Sequence, residues 1–194
     1  MKIYFATLIG LLISVVAYSQ DKPQGLNVQD NAPMFSAKDQ TGKDVNLKSL
    51  LKNGPVVVLF YRGQWCPFCN KQLSSLQDSM AMFTSKGATV IAVTPEKPEN
   101  IEKTIAKTKA SYSVLFDDGL AIMKAYKVAY AIEASVIEKY KGYGIDFAVA
   151  NGNNGPSLPV PAVYIINKEG KISYRYFNED FRKRPSVKEL VANL

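Results

Sequence analysis

The chain has 194 residues, of which 47% are hydrophobic, so it can build the core of one domain and is not a disordered chain. Its formal net charge is +7, but lysine and arginine are scattered, and we interpret the one dense basic run, 182–184, as solvated surface rather than a nucleic-acid contact. The sequence contains no histidine, which excludes mechanisms with a histidine base and removes the commonest zinc or copper ligand.

The first residues have the pattern of a secretory signal peptide. Lys2 precedes an apolar run from 3 to 17, and small residues two apart follow it, so cleavage is expected after Ser19. The run is short for a membrane span, although an uncleaved anchor or a buried helix would be the alternatives. We therefore predict a signal peptide at 1–19 and an exported mature chain, 20–194, that is periplasmic or extracellular and not stably inserted in a membrane.

Strand and helix patterns then alternate along the chain, which is typical of parallel strands covered by helices. In chain order, apolar runs and turn signals predict two short strands within 37–47, a strand at 56–61, a helix at 66–85, a strand at 88–93, a helix at 99–109, a strand at 114–116, a helix at 120–128, a hairpin of strands 162–166 and 171–177, and a last helix capped by Ser186 and Glu189.

Residues 129–158 break this alternation. A short helix is expected around 132–140, and the glycine- and asparagine-rich run 151–156 is loop-like in composition. We interpret the segment as an insertion near the active end of the domain, and a plain surface excursion fits the sequence equally well.

The only two cysteines, Cys66 and Cys69, lie where the buried strand 56–61 passes into a helix. A helix N-terminus offers unpaired N–H groups and the positive end of the dipole, and both favour thiolate, the nucleophilic form. Two cysteines at this spacing cannot staple a fold, so they exchange electrons or bind a metal. Cys69 begins the apolar stripe of the helix, which predicts that Cys66, at the tip, is the more exposed thiol.

These residues carry a resemblance to a known family. The matching segments are 60–69, with Trp65 before the Cys-x-x-Cys motif, then 90–94, 114–118 and 125–128, and finally 158–166, with Val160-Pro161 before a hairpin strand. The chain resembles the thioredoxin superfamily and, within it, the peroxiredoxin-like branch of alkyl hydroperoxide reductases and thiol-specific antioxidants. The resemblance covers roughly 30–194, and it implies one α/β domain with a thioredoxin-like fold, a central mixed sheet and helices on both faces.

The resemblance also has departures at the site. Aligned on the Pro-x-x-x-Thr-x-x-Cys signature of peroxiredoxins, Cys69 takes the cysteine position, Cys66 the threonine position and Arg62 the proline position. The place of the family's active-site arginine, before the late hairpin strand, is held by Pro161, as in thioredoxins. The sequence thus combines a peroxiredoxin-like frame with a thioredoxin-like site.

The frame implies a thiol oxidoreductase that reduces hydroperoxides through a Cys66/Cys69 dithiol–disulfide cycle, with a thioredoxin-like protein as the thiol reductant. In that alignment Cys69 attacks the peroxide and Cys66 resolves the sulfenic acid. Arg62 would assist the anionic thiolate or the peroxide.

The thioredoxin-like site implies a different substrate, a protein disulfide. Cys66 would then attack first and Cys69 would resolve the mixed disulfide, an order that the expected burial of Cys69 favours. Pro161 would face the motif and present the backbone of Val160 to the substrate, and Trp65 would form one wall of the site.

A third possibility is a copper(I)-binding module that uses the two thiolates as ligands. For either redox function, no cofactor is expected.

Overall fold

The computed structural model describes residues 22–194, so the predicted signal peptide at 1–19 lies outside the described residues. The strands are β1 (Ser36–Lys38), β2 (Asp44–Asn46), β3 (Val56–Phe60), β4 (Thr89–Thr94), β5 (Ser113–Phe116), β6 (Ala129–Ala131), β7 (Ser157–Pro159), β8 (Ala162–Ile166) and β9 (Ile172–Phe177). The helices are α1 (Leu47–Leu50), α2 (Pro67–Asp78), α3 (Met80–Thr84), α4 (Pro98–Thr108), α5 (Ala121–Ala125), α6 (Ala134–Gly142), α7 (Phe147–Asn151) and α8 (Val187–Ala192).

A mixed five-stranded sheet in the order β5-β4-β3-β8-β9 forms the centre of the domain. Strands β3, β4 and β5 run parallel, whereas β8 pairs antiparallel with β3 and β9 pairs antiparallel with β8. Parallel strands end at the same edge, so the loops after β3 and β4 emerge side by side. The predicted mixed sheet of a thioredoxin-like fold is confirmed, and the cysteine motif begins at that edge.

Both faces of the sheet are buried, as the continuous apolar run of β3 predicts. Val56, Val58 and Phe60 contribute to one hydrophobic cluster, whereas Val57 and Leu59 contribute to the cluster on the opposite face. Helices cover both sides. The residues that α2, α3, α4 and α8 contribute to the second cluster are Cys69, Leu73, Leu76, Phe83, Ile101 and Leu190. Among the described residues, no helix combines the length and the apolar character needed to cross a membrane.

Two predicted helices are shorter in the structure. The motif helix is interrupted at Ser79, whose backbone (φ −109°, ψ 13°) is not helical, so α2 ends there and α3 follows. The helix predicted over 120–128 is reduced to α5, because Leu120 and Lys127 both take left-handed backbone angles (φ 61° and 54°), which single non-glycine residues adopt but helices do not. A hydrophobic period locates an apolar face but not these interruptions.

Residues 129–158 form a small structure of their own. Strands β6 and β7 pair antiparallel, and Ile132, Phe147 and Leu158 form a separate hydrophobic cluster. Trp65 of the cysteine loop packs against this cluster, with ring centroids 5.4 Å from Tyr140 and 5.9 Å from Phe147. The segment therefore lies beside the motif, and its being an insertion stays a prediction.

Candidate active site

The cysteine motif sits at the N-terminus of α2. Cys66 is the N-cap residue with an extended backbone, and Pro67 occupies the first turn, where a missing N–H costs no hydrogen bond. The carbonyl of Cys66 accepts hydrogen bonds from the backbone N–H groups of Cys69 and Asn70, both at 3.1 Å. The thiol of Cys66 is thereby held at the positive end of the helix, one turn from Cys69.

Both cysteines are free thiols, and their side chains are close enough for each to shift the pKa of the other. Cys66 was predicted to be the more exposed thiol, but both cysteines are buried, with exposed fractions of 1% for Cys66 and 0% for Cys69. Both belong to the hydrophobic cluster between the sheet and α2, and Arg184 of the C-terminal segment reaches the sulfur of Cys69. The position of the motif predicts which cysteine comes first along the helix. It does not predict which remote segment of the chain covers the two cysteines.

That covering segment supplies Arg184. Its Nη2 lies 3.4 Å from the sulfur of Cys69, and its Nη1 donates hydrogen bonds to the carbonyls of Phe181 and Lys183. The sequence interpretation of 182–184 as solvated surface is therefore wrong for Arg184, which is only partly exposed, and holds for its two neighbours. No local signal distinguishes the three, because the contact spans 115 positions.

The two sulfurs have opposite electrostatic environments. Burial alone would raise the pKa of Cys69, but the hydrogen bond from Cys66, the charge of Arg184 and a backbone hydrogen bond from Arg62 together lower it. The pKa of Cys66 is raised, first by its hydrogen bond to Cys69 and then by burial. The pair therefore carries its negative charge on Cys69 and its proton on Cys66.

Arg62 is buried, with an exposed fraction of 2%. Its guanidinium lies among three aromatic rings, 4.9 Å from the centroid of Trp65, 5.5 Å from that of Tyr140 and 4.2 Å from that of Phe181, and it donates a hydrogen bond to the hydroxyl of Tyr140. The side chain is thus engaged by cation–π contacts, and it is the backbone of Arg62 that bonds to the sulfur of Cys69.

Val160 and Pro161 line a cleft of about 800 Å³, and Phe181 lines it too. The peptide bond before Pro161 is trans, as are all peptide bonds among residues 22–194. The backbone N–H of Val160 donates to the carbonyl of Val128 at 2.8 Å. Phe181, in contact with Arg62, is what connects these two residues to the motif.

Glu96 is a further residue of the site, and the sequence did not single it out. It follows β4 at the edge where the cysteine loop begins, is fully buried, and accepts a 2.6 Å hydrogen bond from the backbone N–H of Gln64 through Oε2. Its Oε1 has no hydrogen-bond partner, and burial raises the pKa of the carboxyl to about 8. The available signal was its position after a buried parallel strand neighbouring β3.

Residues 28–175 match the family model described as AhpC/TSA family. The chain belongs to the AhpC/TSA family. Two curated relatives are chloroplastic peroxiredoxin Q proteins, one from Gentiana triflora that is 29% identical over 162 residues and one from Suaeda salsa that is 38% identical over 162 residues. Each alignment covers 84% of this chain, and the chain spans 64% of the length of these relatives.

A solved structure supports the fold of this AhpC/TSA chain. The crystal structure of peroxidoxin BcpB from Mycobacterium tuberculosis superposes with a TM-score of 0.68 at 19% identity, covering 86% of this chain and 94% of that one. At this identity the likeness concerns the fold alone. The expectation of a thioredoxin-like, peroxiredoxin-type frame is confirmed.

The donor set for a metal in this family member is small. Within residues 22–194 no group of three or more histidine, cysteine, aspartate or glutamate side chains converges on one point. Two thiolates are the soft ligands available, and one of them is already engaged by Arg184.

Proposed function

We propose that this AhpC/TSA protein is an exported thiol peroxidase that reduces hydroperoxides through Cys66 and Cys69. The observation that carries the proposal is the contact between the guanidinium of Arg184 and the sulfur of Cys69, because a nearby fixed cation stabilises thiolate and offers donors to a polarised peroxide. The peroxiredoxin Q names of the relatives agree with this chemistry.

Cys69 is the peroxidatic residue in this proposal and Cys66 resolves. The thiolate of Cys69 attacks one peroxide oxygen, the O–O bond breaks, and the leaving alkoxide or hydroxide takes up a proton. The sulfenic acid of Cys69 then reacts with the thiol of Cys66, which gives the Cys66–Cys69 disulfide and one water. A thiol reductant such as a thioredoxin-like protein supplies two electrons and two protons to restore the dithiol.

The attack order differs from the one that expected burial favoured. Cys66 was expected to attack first because it would be exposed, but both sulfurs are equally buried, and charge decides instead. The lowered pKa of Cys69 and the raised pKa of Cys66 make Cys69 the better nucleophile at neutral pH.

The test compares Cys66→Ser and Cys69→Ser in the mature chain 20–194. We expect Cys69→Ser to lose reaction with hydrogen peroxide, measured as loss of the stopped-flow change in Trp65 fluorescence. Cys66→Ser should react once and leave a sulfenic acid that dimedone traps on Cys69, detected by mass spectrometry. A Cys69→Ser protein that consumes peroxide at the unaltered rate would refute the assignment.

A second candidate is a thiol–disulfide oxidoreductase for protein disulfides. The cleft lined by Val160, Pro161 and Phe181 favours it, because a groove of about 800 Å³ could hold an extended peptide, and Phe181 packs on Phe68 of the cysteine motif. Reduction of insulin by the mature chain, scored against peroxide reduction with the same reductant, separates the two candidates. Faster insulin reduction would assign the dithiol to protein substrates.

Export is part of the proposal and rests on the N-terminal pattern of Lys2 followed by an apolar run. The expected mature protein begins at Gln20 and is periplasmic or extracellular. Intact-mass measurement on the protein from a secreting host should give the chain without residues 1–19. A mass that includes them would contradict cleavage.

A further inference from the structure

A buried carboxylic acid lies beside the cysteine loop and has no salt-bridge partner among residues 22–194. Glu96 is fully buried, and within the described part of the chain its Oε1 makes no hydrogen bond. The carboxyl accepts one hydrogen bond, through Oε2, from the backbone N–H of Gln64, two positions before Cys66. An acid in such a place costs stability when charged, so its presence at this edge of the sheet calls for a use in the chemistry.

The carboxyl packs directly against the backbone of Gly63. A Cβ placed on Gly63 would meet Oε1 of Glu96 at 2.7 Å and Nε1 of Trp65 at 2.5 Å, so both atoms lie against this glycine and leave no room for a side chain. Among the described residues, Nε1 of Trp65 is also buried without a hydrogen-bond partner. Two unpartnered polar atoms therefore lie together against the residues that precede Cys66.

Charge couples Glu96 to the sulfur that we assign as peroxidatic. The ionised forms of Glu96 and Cys69 are both negative and repel one another, so a thiolate on Cys69 keeps the proton on Glu96. When Cys69 loses its charge by oxidation, the carboxyl is freed to release that proton. The release therefore falls at the step in which a negative oxygen leaves the peroxide.

We propose that Glu96 is the proton donor to the leaving oxygen of the hydroperoxide. This rests on the proposed peroxidase function. The thiolate of Cys69 forms an S–O bond, the O–O bond breaks, and the oxygen that leaves takes the proton of Glu96, which becomes carboxylate. The products are an alcohol or water and the sulfenic acid of Cys69. Glu96 regains a proton from solvent when the disulfide has been reduced and Cys69 is a thiolate again.

The leaving group tests the proposal. A hydroperoxide releases alkoxide, which needs a proton, whereas a peroxy acid releases a stable carboxylate, which does not. We expect Glu96→Gln to lower the rate with tert-butyl hydroperoxide by about a hundredfold, the usual contribution of a positioned acid, and to leave the rate with peroxyacetic acid nearly unchanged. The glutamine keeps an oxygen for the N–H of Gln64, so the loop is preserved.

Asp117→Asn is the matched control. Asp117 is another buried carboxyl whose pKa burial raises, but its oxygens accept hydrogen bonds from the N–H groups of Ile122 and Met123 at 2.9 and 2.7 Å, away from the motif. Its substitution should lower stability and leave the ratio of the two rates as in the wild type. An unchanged ratio in Glu96→Gln, or the same fall with both oxidants, would overturn the role of Glu96.

The pH profile is the second readout. The wild-type rate with tert-butyl hydroperoxide should decline above about pH 8 as Glu96 ionises, and Glu96→Gln should lack that limb. The other titratable or charged groups that act on Glu96 are Tyr61, Cys69, Lys103 and Lys107. A wild type that reduces neither oxidant would instead refute the peroxidase function, and a Glu96→Gln profile with the same alkaline limb would refute this inference.

Discussion

Arg184 places a positive charge against the sulfur of Cys69. The side chain of Arg62, by contrast, is engaged by three aromatic rings, one of which is Tyr140. A charge-assisted hydrogen bond of the Arg184 kind favours the ionised thiol and is roughly twice as strong as a neutral one. The thiol that we propose as peroxidatic thus has its nearest cation on the C-terminal segment.

Replacing Arg184 by glutamine should raise the pKa of the Cys69 thiol from about 6. A rise of about two units would slow its reaction with hydrogen peroxide about tenfold at neutral pH, because the thiolate would fall from most of the protein to roughly a tenth of it. Thiolate absorbance near the ultraviolet edge as a function of pH measures the shift. Lys183→Gln, an exposed neighbour in the same run, is the control. An unshifted titration in Arg184→Gln would show that Arg184 does not stabilise the thiolate.

Contacts between individual site residues were the features that the sequence predicted least well. Cys66 and Cys69 were identified because a local pattern, a buried strand followed by an apolar helical stripe, locates them at a helix start. Arg184 reaches Cys69 through a contact that joins distant parts of the chain, and nothing in its immediate neighbours marks it. The one signal for Glu96 was its position after a buried strand that neighbours β3. The hydrophobic periodicity of a helix indicates which of its faces is buried. It does not indicate which charged side chain from a distant segment contacts that face.

At the scale of elements, the segment 129–158 is attached to the motif by aromatic packing. Trp65 contacts Tyr140 and Phe147, whose own ring centroids are 5.3 Å apart. The short cluster that these rings complete is separate from the two main clusters. These rings join the segment to the cysteine loop, and hydrogen bonds of Ala150 and Asn154 join it to the loops after β4 and β5.

Phe147→Ala should remove the centre of this cluster and lower the free energy of unfolding by about 3 kcal/mol, the cost of a large-to-small change at a buried ring. Urea denaturation followed by the fluorescence of Trp65, the single tryptophan, measures both stability and local packing. Val149→Ala, at an exposed position of the same helix α7, is the control. Equal losses in both variants would mean that the cluster does not hold the segment.

Elements were predicted more accurately than contacts. The hairpin strand β8 has the predicted bounds, and Ser186 caps α8 as predicted, although the side chain of Glu189 bonds to Tyr174 instead of closing the capping box. The long helices were misjudged only at breaks such as Ser79, where backbone angles rather than hydrophobic spacing decide. Turn and strand signals are local properties, so the sequence contains them.

At the scale of the whole molecule, buried acids make stability depend on pH. Burial raises the pKa of Glu96 to about 8 and raises that of Asp117 as well. Between the pKa of such a group in the unfolded chain and its pKa in the folded protein, only the folded state holds the proton. The free energy of unfolding therefore falls as pH rises through this interval. The protein is therefore expected to be most stable on the acid side of neutrality with respect to these two groups.

The variant Glu96→Gln isolates the contribution of Glu96 to the pH dependence of the free energy of unfolding. From about pH 5 to about pH 8 the unfolded chain has lost the proton of Glu96 and the folded chain has kept it, so the wild type should lose on the order of 2 to 4 kcal/mol relative to the variant. Urea denaturation at several pH values measures the difference in unfolding free energy. A difference that stays constant over this interval would mean that the carboxyl titrates normally in the folded protein.

The contact between Arg184 and Cys69 has a consequence for how the protein acquires its reactivity. The guanidinium is 115 positions downstream of the sulfur that it activates. On the proposed role of Arg184, a newly made chain lacks the activating charge until its C-terminal segment has docked against the motif. Full reactivity toward oxidants would then appear only when the fold is complete, and a chain that ends early would carry the motif without its arginine.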